Sequence, residues 1–173
     1  YSSQVQNAGN LRTKGFEVSL KLSPIRTNNF KWDIDVNWSN PLTRVTELAT
    51  GVENITLGSY QGGVTINASL DDLYGTIKGT DFIYTNGQKT VGANGRYLFT
   101  STTNNVIGNM QADWFGGVIN KFTYKDFSID FQIDVRQRGN VFSLDQYYGL
   151  ATGLYPETVG NNDLGNPIRN TLG

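Results

Sequence analysis

Residues Phe30 to Ser39 constrain this chain more than any other stretch. Phe30, Trp32, Ile34, Val36 and Trp38 alternate without error against Lys31, Asp33, Asp35, Asn37 and Ser39. Side chains change faces at every residue of a strand, so one face of this segment is wholly apolar and the other wholly polar. The same pattern holds upstream, where Phe16, Val18, Leu20 and Leu22 alternate with Glu17, Ser19 and Lys21. It returns from Phe127, with Ile129, Phe131, Ile133 and Val135 opposed by Ser128, Asp130, Gln132, Asp134 and Arg136. A weaker strand is expected over 117–124. Its orientation stays open, because Val118, Phe122 and Tyr124 share a face with Asn120.

Strand length separates two kinds of two-faced sheet. Ordinary strands run about 5–6 residues. The strong segments alternate for roughly 9–12, and a tilted strand needs about 9–11 to cross a bilayer. Phe30, Trp32, Trp38, Tyr124 and Phe127 lie near strand ends, where aromatic rings favour the membrane–water boundary. The connections alternate in length: 23–29 and 124–126 are short, whereas 40–115 and 143–173 are long, polar and rich in Gly, Asn and Thr. Short turns on one side and long loops on the other are the rhythm of an outer-membrane barrel. The expectation is an all-β fold, part of a large antiparallel transmembrane β-barrel with long extracellular loops. Residues 1–143 would carry the barrel strands with one long extracellular loop at about 40–115, and 144–173 would begin a further, truncated loop. Strands 16–22 and 117–124 would descend, 30–39 and 127–138 ascend. A hairpin or two is expected inside 40–115, because Asn86-Gly87 and Asn94-Gly95 are strong turn signals. A soluble antiparallel sandwich with one wet face shares the alternation, and remains the rival at this point.

Composition removes much chemistry. The chain has no histidine and no cysteine, so within it a Ser-His-Asp triad, a Cys-His pair, His- or Cys-ligated zinc and disulfides are all excluded. With 14 basic and 15 acidic residues it carries no electrostatic footprint for nucleic acid. No stretch approaches the roughly 20 apolar residues of a membrane helix. The start at Tyr1 and the close at 168–173 read as those of an internal fragment.

The motifs are more specific than the pattern. Asn7-Ala8-Gly9-Asn10-Leu11-Arg12-Thr13-Lys14-Gly15-Phe16-Glu17-Val18 resembles the strand opening of SusC/RagA-type TonB-dependent transporters. Phe30 to Ser39 is similar to that family's "F-x-W-x-x-x-x-N-x-S" strand, and Val45-Thr46-Glu47-Leu48 to the "V-x-x-L" after it. Ile107-Gly108-Asn109-Met110-Gln111-Ala112-Asp113-Trp114-Phe115-Gly116-Gly117 resembles "I/L-G-N-x-x-P-D-W/F-x-G-G", with Ala112 where proline is usual. Phe122 to Ile129 is similar to "F-x-Y-K-N/D-F-x-L". Phe131 to Ser143 continues the family pattern with Arg138 in place of its first glycine. The resemblance covers a C-terminal portion of the barrel and leaves out the plug, the TonB box and the closing strand. It implies import of oligosaccharides or peptides across the outer membrane of Bacteroidetes-type bacteria. A SusD-like lipoprotein would act as the lid, energy would come from TonB through the plug, and no catalysis or cofactor would be involved. The same fold with siderophore or vitamin cargo is a second rival; a soluble glycan-binding or adhesin-like module is the first.

On this reading Glu17, Lys21, Lys31, Asp33, Asp35, Asn37, Asp130, Gln132, Asp134 and Arg136 face the lumen. Phe16, Val18, Leu20, Phe30, Trp32, Ile34, Val36, Phe127, Ile129, Phe131, Ile133 and Val135 face outer-membrane lipid. Paired carboxylates such as Asp33 and Asp35 have the spacing for glycosidase work. A water-filled wall favours the same residues, and no apolar pocket sets one carboxyl apart as an acid. Asp71-Asp72 lacks the oxygen count and spacing of a calcium loop. Asn37-Trp38-Ser39, Asn54-Ile55-Thr56 and Asn67-Ala68-Ser69 match the glycosylation pattern by accident, and Gly75–Gly79 has GxxxG spacing without an apolar helix. Trp114, Tyr147, Tyr148 and Tyr155 are candidates for ligand or lid contact.

Overall fold

The computed structural model of the chain describes residues 7, 9–162 and 165–168. Ala8, inside the first motif, and 169–173, part of the expected unfinished loop, lie outside the described residues. Antiparallel strands dominate. In chain order they are β1 (Gly9–Lys14), β2 (Glu17–Arg26), β3 (Phe30–Ser39), β4 (Leu42–Leu48), β5 (Asn54–Ser59), β6 (Thr65–Ser69), β7 (Thr76–Gly79), β8 (Tyr84–Thr85), β9 (Gln88–Lys89), β10 (Asn105–Asn109), β11 (Trp114–Tyr124) and β12 (Phe127–Gln137). One helix follows, α1 (Leu144–Ala151).

Four long strands make the principal sheet, in the order β12-β11-β3-β2. Each neighbouring pair is antiparallel, so successive long strands alternate in direction as expected. The alternating segments from Phe30 and Phe127 become β3 and β12 over 10 and 11 residues. Among the described residues no barrel closes: β2 and β12 are the two edges of this sheet.

The turn expected at 23–29 is shorter than the sequence reading held. β2 continues to Arg26, with a register shift between Leu22 and Ile25. Leu22 faces Ile34, but Ile25 faces Trp32, so β2 holds one extra residue there. Pro24 sits in this bulge, where its missing N–H costs no ladder bond. The bulge also keeps Ile25 on the apolar face despite its odd number. The turn proper is 27–29, closed by Thr27, whose N–H donates to the Phe30 carbonyl at 2.8 Å. At the same end Lys125, at φ +52°, opens the β11–β12 turn and donates its N–H to the Asn29 carbonyl at 2.9 Å.

The β2–β3 hairpin does not stop at the expected strand ends. Glu17 faces Ser39, and the same register resumes with Lys14 opposite Leu42, Thr13 opposite Thr43 and Arg12 opposite Arg44. β1 and β4 therefore prolong the hairpin, a pairing absent from the sequence reading, which left 40–48 as loop. Between them the Asn40 N–H donates to the Phe16 carbonyl at 3.0 Å. Gly15 is required here: a Cβ would meet the Asn40 carbonyl oxygen at 2.3 Å and the Pro41 Cα at 2.8 Å.

The long 40–115 segment holds far more order than a hairpin or two. A four-stranded sheet runs in the order β10-β7-β6-β5. The Asn86-Gly87 turn joins β8 to β9, with both residues at positive φ (+51° and +78°), as an Asn-Gly hairpin demands. Gly95, at φ +74°, forms the second expected turn beneath the Val91–Tyr97 bridge. α1 begins at Ser143, whose hydroxyl oxygen accepts from the Gln146 N–H at 3.2 Å.

Contacts divide the chain into two compact units, one of 1–55, 67–76 and 108–140, the other of 56–66, 77–107 and 141–173. In the first, Val45 is 1% exposed and Asn67 2%, while Phe16 is 77% and Phe127 80% exposed. Its closely packed part lies around β4, and the long strands lie open on both faces.

Candidate functional site

The register assigns every long-strand residue to a face. Val18, Trp38, Gly116 and Val135 form one cross-strand row; Leu20, Val36, Val118 and Ile133 form the next. Ile34 with Asn120 and Phe131, then Trp32 with Phe122 and Ile129, continue it. This face carries all twelve expected lipid-facing residues and settles β11, whose Val118, Phe122 and Tyr124 belong here. The lone polar residue among these rows, Asn120, accepts from the Trp32 indole N–H at 3.2 Å. An amide on an apolar face is costly without a partner; the indole supplies one.

Aromatic rings gather at the short-turn end of the same face. Phe122 stacks on Trp32 with ring centres 5.5 Å apart and 15° between planes, with Phe30 at 6.4 Å and Phe131 at 6.2 Å. At the far end Trp38 and Trp114 cap the rows, and the Trp114 ring lies over Gly116, where a Cβ would come within 3.0 Å of it. From Phe30 to Trp38 the strand advances eight steps, about 26 Å at ~3.3 Å per residue.

The opposite face gathers the ten expected polar residues. Lys21 faces Asp35; Asp33, Lys121 and Asp130 form one row; Asn37, Gly117 and Asp134 another; Ser39, Phe115 and Arg136 a third. Lys31 pairs with Asp33 at 2.9 Å, and the Ser23 hydroxyl donates to Asp33 at 2.5 Å. The Gln132 amide donates to both Asp134 oxygens at 2.8 Å. Arg136 donates to the Met110 carbonyl at 2.6 Å and lies 5.9 Å from the Phe115 ring centre. A shallow open depression crosses this face, lined by Lys21, Ser23, Asp33, Asp35, Lys121 and Asp130 among others. Charges of both signs alternate across it without enclosure. The depression lacks the apolar pocket that would raise one carboxyl into a proton donor, and no group of His, Cys, Asp or Glu among the described residues is placed to hold a metal.

Lys121, Ser23 and Ile119 escaped the sequence reading of this face. The parity of β11 was unreadable without its neighbours, and Ser23 was assigned to a turn. Gln111 was also missed. Its side chain accepts from the Thr43 N–H at 2.7 Å and donates to the carbonyls of Thr43 (2.8 Å) and Tyr74 (2.7 Å). One amide thus fastens β4 and residue 74 to the entry of β11.

The tyrosine candidates fall in the second unit, and Trp114 on the apolar face of the first. Tyr147 and Tyr148 meet edge to face at 5.4 Å, with Phe142 6.1 Å from Tyr147 and Tyr60 5.9 Å from Phe142. Gly62 makes room for the Tyr147 ring; a Cβ there would lie 2.8 Å from it. Tyr155 is turned to another task, donating its hydroxyl to Asp145 across the Cα of Gly149. That bond holds the Tyr155 hydroxyl above its ordinary pKa, with burial and the negative charge of Asp145 acting the same way.

Comparison with known proteins agrees with the motifs. No family model matches the chain. It is 28% identical over 164 residues to the TonB-dependent receptor P26 of Formosa agariphila, covering 83% of this chain and 16% of that protein. It is 24% identical over 153 residues to the TonB-dependent receptor SusC of Bacteroides thetaiotaomicron, covering 76% of this chain and 14% of that one. Among solved structures, the RagAB peptide transporter superposes with a TM-score of 0.53 at 20% identity, over 78% of this chain and 16% of that chain. The RagAB peptide importer in its closed-closed state gives 0.53 at 19%. The resemblance to SusC/RagA-type TonB-dependent transporters is borne out, and the chain spans about one sixth of the length of these relatives.

Proposed function

We propose that this chain is a stretch of wall from an outer-membrane, TonB-dependent importer of oligosaccharides or peptides that works with a SusD-like lipoprotein. Residues 1–143 would supply wall strands with the 40–115 excursion on the outer side, and 144–173 would begin the next outer loop. The observation that carries the reading is the four-stranded sheet. Its strands are 10 and 11 residues long, one face is an exposed aromatic and aliphatic band, and the other is a lattice of mixed charges. Water on the first face is expensive and lipid is not; the second has the character of a lumen wall. Open edges such as β2 and β12 are not found bare in hydrocarbon, so further strands of the parent chain would pair with both.

The ten polar-face residues would then contact water, plug or passing cargo, and the Tyr60–Phe142–Tyr147–Tyr148 cluster would stand among the outer loops as a place for cargo or lid to touch. Names of the relatives favour transport over catalysis. RagAB is a peptide transporter, which makes peptides one candidate cargo, and the SusC and RagA likeness favours oligosaccharide or peptide uptake over siderophore or vitamin uptake. Co-purification tests this. The parent protein extracted in detergent should bring a lipoprotein with it, and should aggregate without detergent. A parent protein that stays monodisperse in plain buffer would instead establish the soluble module.

A further inference from the structure

The outward face does not end where its apolar residues do. Because Val18–Trp38, Lys14–Leu42 and Arg12–Arg44 keep one register, no bulge intervenes and the alternation of faces carries through Gly15. Lys14, Arg12 and Arg44 therefore stand on the same face as Phe16, Val18 and Trp38. Lys14 precedes Phe16 by two positions and Arg12 by four, about 7 and 13 Å along the strand at ~3.3 Å per residue. The opposite face is only partly covered there: Val45 is 1% exposed but its partner Leu11 is 54% exposed, and Thr13 and Thr43 bond to each other at 2.8 Å. All three cations are exposed.

Their electrostatics are unbalanced. Arg12 and Arg44 are direct cross-strand partners, an arrangement that repels. The ion pairs among the described residues are Lys31–Asp33 and Arg138–Asp113, so none of the three cations has a carboxylate partner there. The Arg44 guanidinium donates to the Asp71 carbonyl at 3.3 Å. The nearby carboxylates are turned elsewhere. Glu17 lies on the other face, Glu47 takes the Asn10 amide at 2.5 Å, and Asp72 accepts from the Leu73 N–H at 2.7 Å.

We propose that Arg12, Lys14 and Arg44 form a docking site for the phosphate-bearing headgroup of an anionic lipid, at the long-loop rim of the apolar face. The proposal rests on the membrane reading above, which puts that face against lipid. An apolar band for acyl chains, aromatic rings at the boundary, and two guanidiniums with an ammonium one step beyond are the parts such a lipid needs. Arginine matches phosphate oxygens with paired N–H donors, and long cationic side chains reach along an apolar surface while keeping their heads in the headgroup layer. A phosphate between Arg12 and Arg44 turns their repulsion into a bridge.

The test uses the full-length parent transporter in detergent, with phosphatidylglycerol as the probe and phosphatidylcholine as the neutral control, read by native mass spectrometry of bound lipid. Arg12→Gln, Lys14→Gln and Arg44→Gln should each weaken phosphatidylglycerol binding by about fivefold, whereas Lys89→Gln should not. Arg12→Lys with Arg44→Lys should keep most of the binding. Lipid-free Tm of the Arg12→Gln/Arg44→Gln variant should be unchanged or higher, since a like-charge pair is removed; this separates lost binding from lost folding. Equal phosphatidylglycerol binding by the wild type and the triple glutamine variant would overturn the proposal. So would full competition by inorganic phosphate, which makes it a free-anion site, or loss of a co-purifying lipoprotein with lipid binding intact, which makes it a protein interface. A parent protein that is soluble without detergent and binds neither lipid refutes the membrane reading itself.

Discussion

The long-stranded sheet and the closely packed part of the same unit obey opposite rules. In β2, β3, β11 and β12 the strands are long, both faces are open, and side chains are sorted by face alone. Around β4 and residues 67–76, strands are short, Asn67 and Thr76 are buried, and polar side chains knit the backbone. Asn54 donates to Asn67 at 3.0 Å, Ser69 to Asn54 at 2.6 Å, and Asn109 to the Thr76 hydroxyl at 3.2 Å. On the proposed function, strands set between lipid and water take stability from what touches each face, whereas the packed part makes its own interior.

The contrast is broken most forcefully by placing charge on the wrong face. Ile34→Lys or Phe131→Lys should cost about 2–4 kcal/mol at the bilayer midplane, measured by denaturant unfolding of the parent protein in lipid. Gln132→Lys, one position from Phe131, should leave stability within about 0.5 kcal/mol, as open surface substitutions do. Next in size is Gly15→Val. Its Cβ would enter the Asn40 carbonyl, and the backbone shift that relieves such a clash costs about 1–3 kcal/mol. In the packed part, Gln111→Leu strands the Thr43 N–H and the Thr43 and Tyr74 carbonyls. The cost should be about 1–3 kcal/mol, seen as faster proteolysis of 43–111 with the long strands still protected.

The smallest effect is a pH dependence in the second unit. The Tyr155 hydroxyl is held above its ordinary pKa by donating to Asp145. A raised folded-state pKa gives stability that is whole below the unfolded value near 10 and is lost as pH climbs through the folded one. Ultraviolet titration should show one tyrosine ionising later than the rest, and Tyr155→Phe should abolish that late step. The group is solvent-accessible, so the change in stability should be slight.

Legibility in the sequence followed the same division. β3 and β12 were readable residue by residue because apolar and polar residues alternate in them without a break. β11 was readable as a strand but not as to face: Asn120 breaks its apolar row, Phe115 and Ile119 break its polar one, and only the registers of β3 and β12 resolve it. The bulge at Ser23-Pro24 was hidden, since proline reads as a turn when seen without its partner strand. β1 and β4 were missed because Arg12, Lys14 and Arg44 interrupt any apolar face, and the short strands of 54–109 lack periodicity since neighbours on all sides determine their burial. Among the site candidates, the ten polar-face residues were legible through alternation. The Gln111 clamp was not, because its partners lie 37 and 68 positions away.

The central claim is that neighbouring residues of β3 meet different solvents, and spin-label accessibility measures this directly. The chain has no native cysteine, so single cysteines can be placed at 32 to 37 in a cysteine-free parent protein reconstituted in lipid. The account predicts a period of two: labels at Trp32, Ile34 and Val36 relaxed by oxygen dissolved in the bilayer, and labels at Asp33, Asp35 and Asn37 by a water-soluble paramagnetic complex. Equal access of the water-soluble reagent to all six positions would contradict it.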